Sequence, residues 1–185
     1  HSPLRHGYDE FFGIIEGAAD YFRHHMVMGN KDVGVGLAEG DTPIERNGYL
    51  TDLFGDEAVK TIEAPADTPF FLSLHFNAPH WPWEGREDAA IAPTLGASFH
   101  YNGGSLAKYK EMVEAMDQNV AKLLAALERS GKADNTIVIF TSDNGGERFS
   151  ETWPFTGVKG ELLEGGIRVP LLVRWPGYIA PGSTS

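Results

Sequence analysis

Asp143 and Asn144 stand side by side in the run Thr141-Ser142-Asp143-Asn144-Gly145-Gly146. A carboxylate and an amide oxygen are the donors that a hard cation such as Ca²⁺ or Mg²⁺ takes. The two glycines behind them let the backbone turn sharply and approach a ligand closely, although Asp-Asn-Gly-Gly is equally the sequence of a tight turn. His80 lies between two prolines in Asn77-Ala78-Pro79-His80-Trp81-Pro82-Trp83. Prolines restrict the loop's backbone, and an imidazole held in this way suits proton donation or anion binding. Its bland alternative is a surface-loop histidine. Lys159 sits between glycines in Gly157-Val158-Lys159-Gly160. An ammonium ~4 Å from a substrate oxyanion is worth up to about 4 kcal/mol at an effective dielectric near 20; the other reading is a solvated loop lysine.

Other polar and aromatic residues invite quieter readings. His75 reads as a hydrogen-bonded sheet residue, Asp117 as a satisfied interior carboxylate, and Glu164 with Arg168 as a structural pair. Trp81 and Trp83 could stack on a sugar or aryl ring, or pack against their own domain.

These residues need elements to hold them. Phe70, Leu72, Leu74 and Phe76 alternate with Phe71, Ser73 and His75, the pattern of a strand over 70–76 that delivers His80 just past its end. Ile137-Val138-Ile139-Phe140 is apolar on both faces, as in a central parallel strand over 136–142, and it delivers Asp143. Ligands of open α/β sheets bind at such carboxyl ends. Between the two strands, Ser105 caps a helix with Tyr109, Met112, Val113, Met116, Val120, Leu123, Leu124 and Leu127 as its apolar stripe, and Gly131 ends it. Strand, helix and strand make a right-handed βαβ crossover. An earlier helix runs from Tyr49 through Leu50, Leu53, Phe54, Ala58, Val59 and Ile62 and ends at Ala64-Pro65. Residues 1–48 show little periodicity, with Val33-Gly34-Val35-Gly36 as a flexible loop centre. Residues 84–104 are irregular, with a turn at Asn102-Gly103-Gly104, and 157–166 form a glycine-punctuated loop before a third strand over 169–175. The fold class expected is α/β, with a mostly parallel central sheet flanked by helices.

Composition narrows the function. Fifteen Lys and Arg against 26 Asp and Glu give a net charge of −11, which argues against nucleic acid as a partner. An acidic protein that acts on an anion needs a bound cation or a few placed Lys and Arg residues, because local charge outweighs the total. No apolar run approaches the ~18 residues of a membrane helix. The absence of cysteine excludes disulfides and thiolate chemistry. His1 is followed by no basic-then-apolar leader, so a signal peptide is expected to be absent or removed.

The order of the motifs is more specific than any one of them. His6-Gly7-Tyr8-Asp9-Glu10-Phe11-Phe12-Gly13, Tyr49-Leu50-Thr51-Asp52, Ala78-Pro79-His80-Trp81-Pro82, Thr141 to Gly146, Gly157 to Gly160 and Glu164-Gly165-Gly166-Ile167-Arg168-Val169-Pro170 follow one another as in the type I sulfatases of the alkaline phosphatase superfamily. The chain resembles that family over nearly its whole length, least across 22–47 and 84–104. The resemblance implies that Asp143 and Asn144 ligate Ca²⁺. It also implies that His80 and Lys159 contact the sulfate ester, one of them helping the leaving oxygen depart. His6 and Asp9 belong to a motif associated with structure.

The departures from the family pattern shape the remaining expectations. The family's nucleophile is a formylglycine made within Cys/Ser-x-Pro-x-Arg, and no such sequence occurs here. The paired aspartates that complete the metal site and the Gly-Lys-Trp-His segment are also absent. Residues 1–185 are accordingly expected to be an internal portion of one catalytic domain, with no second domain present. By itself the chain is expected to bind metal weakly or not at all, to be inert toward sulfate esters, and to self-associate through unpaired sheet edges. The expected ligand is a sulfated small molecule or glycan, and a periplasmic or secreted location rests on the family alone. A phosphonate or phosphodiester hydrolase of the same superfamily and a non-catalytic binding module are the alternatives. The whole reading requires His80, Lys159 and Asp143 to meet at one rim of a sheet.

Overall fold

The computed structural model describes residues 2–15, 17–28, 31–65, 68–94 and 103–184, with backbone alone for 26–28 and 31–33. Five short strands precede two helices, and a strand, a helical turn and a strand follow, in an α/β fold that divides into two compact units, residues 1–126 and 127–185.

In the first unit, the region without periodicity contains two small sheets. Strands β1 (Phe12–Ile14), β4 (Leu37–Glu39) and β5 (Thr42–Pro43) form a three-stranded sheet in the order β1-β4-β5. Strands β2 (His25–Met28) and β3 (Lys31–Val35) pair separately, with a register shift between Met26 and Val27. The glycine-rich stretch expected as a loop centre is thus the end of a strand. Gly34 takes φ +100°, a conformation open to glycine, and strands of two to five residues are too short to show a period. Leu37 and Ala38 are fully buried, and the Phe12 ring meets Phe54 edge-on at 6.1 Å.

Helix α1 (Leu50–Glu63) buries Leu50, Phe54, Ala58 and Ile62 on one face and stops before Pro65. Helix α2 (Leu106–Arg129) begins as its sequence foretells: the Ser105 hydroxyl accepts the Lys108 amide at 3.1 Å. Gly131, at φ +68°, closes it, with the Lys132 amide bonded to the Leu127 carbonyl at 2.9 Å. The deepest line of α2 runs through Met112, Ala115 and Asn119, whereas Asp117, read as an interior carboxylate, is exposed. The buried polar group on this helix is Asn119, seven residues after Met112 and therefore on the apolar stripe. Its amide donates to Asp52 Oδ1 at 2.7 Å and to the Ala115 carbonyl at 2.9 Å. Arg86 grips the same carboxylate with two bonds of 2.8 and 2.6 Å. A Cβ on Gly55 would stand 2.1 Å from Asn119 Oδ1, so the glycine lets α1 and α2 close.

Residues 70–76 keep the exposure alternation of a strand but belong to no ladder among the described residues. His75 bonds the Ser73 hydroxyl at 2.8 Å on the exposed face, not a sheet neighbour. Gly103 and Gly104 of the expected turn take φ +70° and +76°; Asn102 lies outside the described residues.

In the second unit, β6 (Val138–Thr141) pairs with β7 (Leu171–Arg174), and a single helical turn, α3 (Glu164–Ile167), precedes β7. The pairing is antiparallel, with Val138 opposite Arg174 and Thr141 opposite Leu171. Every ladder among the described residues is antiparallel, which corrects the expectation of a mostly parallel sheet. That expectation rested on 70–76 as a strand and on two buried faces for 136–142. The first forms no ladder, and Ile137 and Ile139 are exposed.

Candidate functional site

The two glycine loops of the second unit lock together backbone to backbone. The Gly145 amide donates to the Gly166 carbonyl at 2.8 Å, and the Lys159 amide donates to the Gly146 carbonyl at 2.8 Å. A Cβ on Gly145 would lie 2.0 Å from the Gly165 carbonyl oxygen, and one on Gly165 would lie 2.0 Å from that of Gly157. Backbones this close exclude any side chain, which is the physical reason for glycine at these positions. The structure therefore brings the Asp143-Asn144 loop and the Lys159 loop into one assembly.

Asp143 is exposed and Asn144 half-buried, at the end of β6. The Ser142 hydroxyl donates to the Asn144 carbonyl at 3.1 Å and braces the turn. Lys159 is half-buried, its Nζ 3.8 Å from Glu147 Oε2. Glu147, which the sequence reading passed over, tempers this cation; its place directly after the Gly-Gly pair is the signal that could have found it. Glu164 and Arg168 form the exposed ion pair expected of them, at 3.1 Å.

His80 belongs to the first unit. Its loop contains two cis peptides, Ala78–Pro79 and Trp81–Pro82. The His80 amide bonds the Asn77 carbonyl at 2.8 Å, and Nδ1 lies 2.7 Å from the Trp81 carbonyl. A carbonyl only accepts, so Nδ1 carries a proton. The Trp81 ring leans on the imidazole at 4.6 Å, while Trp83 is buried against Tyr109 at 6.0 Å and is no sugar platform.

Behind His80 stand Tyr21 and Glu84, which the sequence reading did not single out, and Tyr49 of the Tyr49-Leu50-Thr51-Asp52 motif. Tyr21 and Tyr49 stack at 5.1 Å, and their hydroxyls donate to the carbonyls of His80 and Glu84, each at 2.8 Å. Glu84 is fully buried and accepts the Tyr21 amide at 2.6 Å. Burial pushes its carboxyl up to about 7, and Asp20 and Asp88 add to the rise; the Tyr21 amide and Arg23 oppose it. No spacing rule announces this cluster, which long-range packing creates.

As a cation site, Asp143 and Asn144 are right in kind and too few in number. Ca²⁺ takes about six to eight oxygens, and no group of three or more His, Cys, Asp or Glu that could hold a metal occurs among the described residues. These two residues would hold one side of an ion.

With the geometry in place, the comparisons decide the family. A family model described as Sulfatase matches residues 2–185. This chain belongs to the sulfatase family. It is 34% identical to mouse N-acetylgalactosamine-6-sulfatase over 199 residues, covering 99% of the chain and 36% of that protein. It is 35% identical to rat steryl-sulfatase over 178 residues, covering 91% and 29%. Among solved structures, Ps i-CgsB superposes with a TM-score of 0.78 at 32% identity, covering 97% of this chain and 42% of that one. The same protein in complex with k-i-k-neocarrahexaose gives 0.77 at 33%. The sulfatase chain thus spans about a third of the length of the curated relatives it matches. No helix among its described residues is long and apolar enough to cross a membrane.

Proposed function

We propose that this sulfatase chain forms part of a sulfate monoester hydrolase acting on a sulfated sugar, with Asp143, Asn144 and Lys159 of the second unit and His80 of the first as its functional residues. The observation that carries the reading is the hydrogen bond from the Lys159 amide to the Gly146 carbonyl, which ties an ammonium to the loop of two oxygen donors. Asp143 and Asn144 would contribute ligands to a Ca²⁺ ion, which when bound would draw charge from the ester's sulfate oxygens. Lys159 adds a fixed positive charge for the same oxygens. His80 holds one proton at Nδ1 against the Trp81 carbonyl. Its imidazolium form therefore presents the second proton at Nε2, for the leaving oxygen.

The sugar preference rests on an aromatic ring and on a structural relative. Relatives named for N-acetylgalactosamine 6-sulfate and for steryl sulfate match at 34% and 35%, so identity does not separate them. Half-buried Trp81 beside His80 and the oligosaccharide complex of Ps i-CgsB favour a glycan. A secreted or periplasmic enzyme would meet such a substrate. The test is steady-state hydrolysis of aryl and sugar sulfates by the intact natural protein that contains this sequence. Lys159→Ala and His80→Ala should each lower kcat at least ~100-fold, and the 185-residue chain should show no turnover. Variants as active as wild type would refute the assignment.

A further inference from the structure

Loop 80–84 hangs from two stacked tyrosines. Tyr21 spans it from end to end: its amide is bonded to the Glu84 carboxylate at 2.6 Å, and its hydroxyl to the His80 carbonyl at 2.8 Å. The ring between these bonds is fully buried and stacked on Tyr49 at an interplanar angle of 20°. The Leu50 amide bonds the Tyr21 carbonyl at 2.8 Å, so the tyrosine is anchored to the start of α1 as well. A rigid, buried residue with one bond to each end of a loop transmits a displacement at one end to the other.

We propose that Glu84 is a positioning residue for His80, acting through Tyr21. Tyr21 donates its amide to the carboxylate and its hydroxyl to the His80 carbonyl. The His80 amide and Nδ1 are fixed by Asn77 and Trp81, so a shift of the His80 carbonyl reorients the imidazole with its loop. Glu84 Oε2 holds the Tyr21 amide, while Oε1 is buried with no hydrogen-bond partner among the described residues. Such an orphaned oxygen makes the charged form expensive to keep, and gaining or losing one proton changes how strongly the carboxyl holds Tyr21.

The charged and titratable groups that face it are Asp20, Arg23, Asp88, Tyr21 and Tyr49. Asp20 is occupied by the amides of Phe22, Arg23 and His25 and by the Arg23 guanidinium. Asp88 is paired with Lys108 at 2.7 Å. Burial raises the Glu84 carboxyl to about 7, with Asp20 and Asp88 adding to the rise and the Tyr21 amide and Arg23 opposing it.

The relevance to turnover rests on the sulfatase reading of His80; the positioning does not, and its test uses no substrate. In the full chain, the carbonyl ¹³C shift of His80 is followed by NMR from pH 5 to 9. Wild type should show an inflection near 7 from Glu84 in addition to that of the imidazole. Glu84→Gln should lose the first and keep the second. Tyr21→Phe, which removes only the hydroxyl, should lose the Glu84 inflection while retaining a cooperative unfolding transition. If Glu84→Gln fails to fold, Tyr21→Phe decides alone. Only the imidazole's inflection in wild type, or a Glu84 inflection that survives in Tyr21→Phe, overturns the proposal.

Discussion

A carboxyl group buried as deeply as that of Glu84 is easier to keep protonated than ionised. Its folded value of about 7 lies above the ordinary 4.5, so the native state holds the proton more tightly than the unfolded chain does. Stability from this group is therefore complete below ~4.5, declines as pH rises toward 7, and is flat beyond, a loss of roughly 3 kcal/mol at most. Urea unfolding at pH 5 and pH 8 should show a larger drop for wild type than for Glu84→Gln; equal drops would mean the carboxyl is not the cause. Asp52 behaves in the opposite way. Its partial burial works to raise it, but the Arg86 fork and the Asn119 amide hold it below the usual carboxylate range. At this scale the sequence reveals residues whose motif is local, such as Asp143, Asn144 and Lys159. Glu84 and Tyr21 stayed hidden because they are 63 positions apart, and Asn119 could have been caught only as a polar residue on an apolar stripe.

The helices were legible as elements because fourteen and 24 residues sustain a period and carry their own stop signals. Of the strands, β6 and β7 were legible, inside the expected stretches 136–142 and 169–175, and the earlier ones were not. Five of the seven lie before Gly48 and are five residues or fewer, and pairing direction depends on neighbours that no local pattern names. The glycine contacts make element-level predictions possible. Gly55→Ala gains about 1 kcal/mol of helix propensity but sets a methyl 2.1 Å from Asn119 Oδ1. We expect a net destabilisation of about 1–3 kcal/mol by denaturant unfolding, whereas a stabilised variant would show that α1 and α2 are less tightly clamped. The same logic applies to Gly165, whose Cβ would collide with the carbonyl of Gly157. Here the obstacle is backbone, which cannot swing away.

Across the whole molecule, charge and apolar surface pull in different directions. The net charge of −11 favours dispersal. Yet Ile139, Leu171 and Leu172 on the β6–β7 ribbon are 63%, 67% and 60% exposed, and this ribbon pairs with no third strand among the described residues. We expect the 185-residue chain to self-associate in a concentration-dependent way on sedimentation, and Leu172→Lys to reduce that association. A monomer at every concentration would refute this. The family was readable because motif order survives even where each motif is ambiguous. The most direct measurement of the central claim is calorimetric titration of the chain with inorganic sulfate. Lys159→Ala should weaken binding about tenfold, about 1.4 kcal/mol, with its unfolding transition unchanged. Sulfate affinity equal to wild type in that variant would contradict the account.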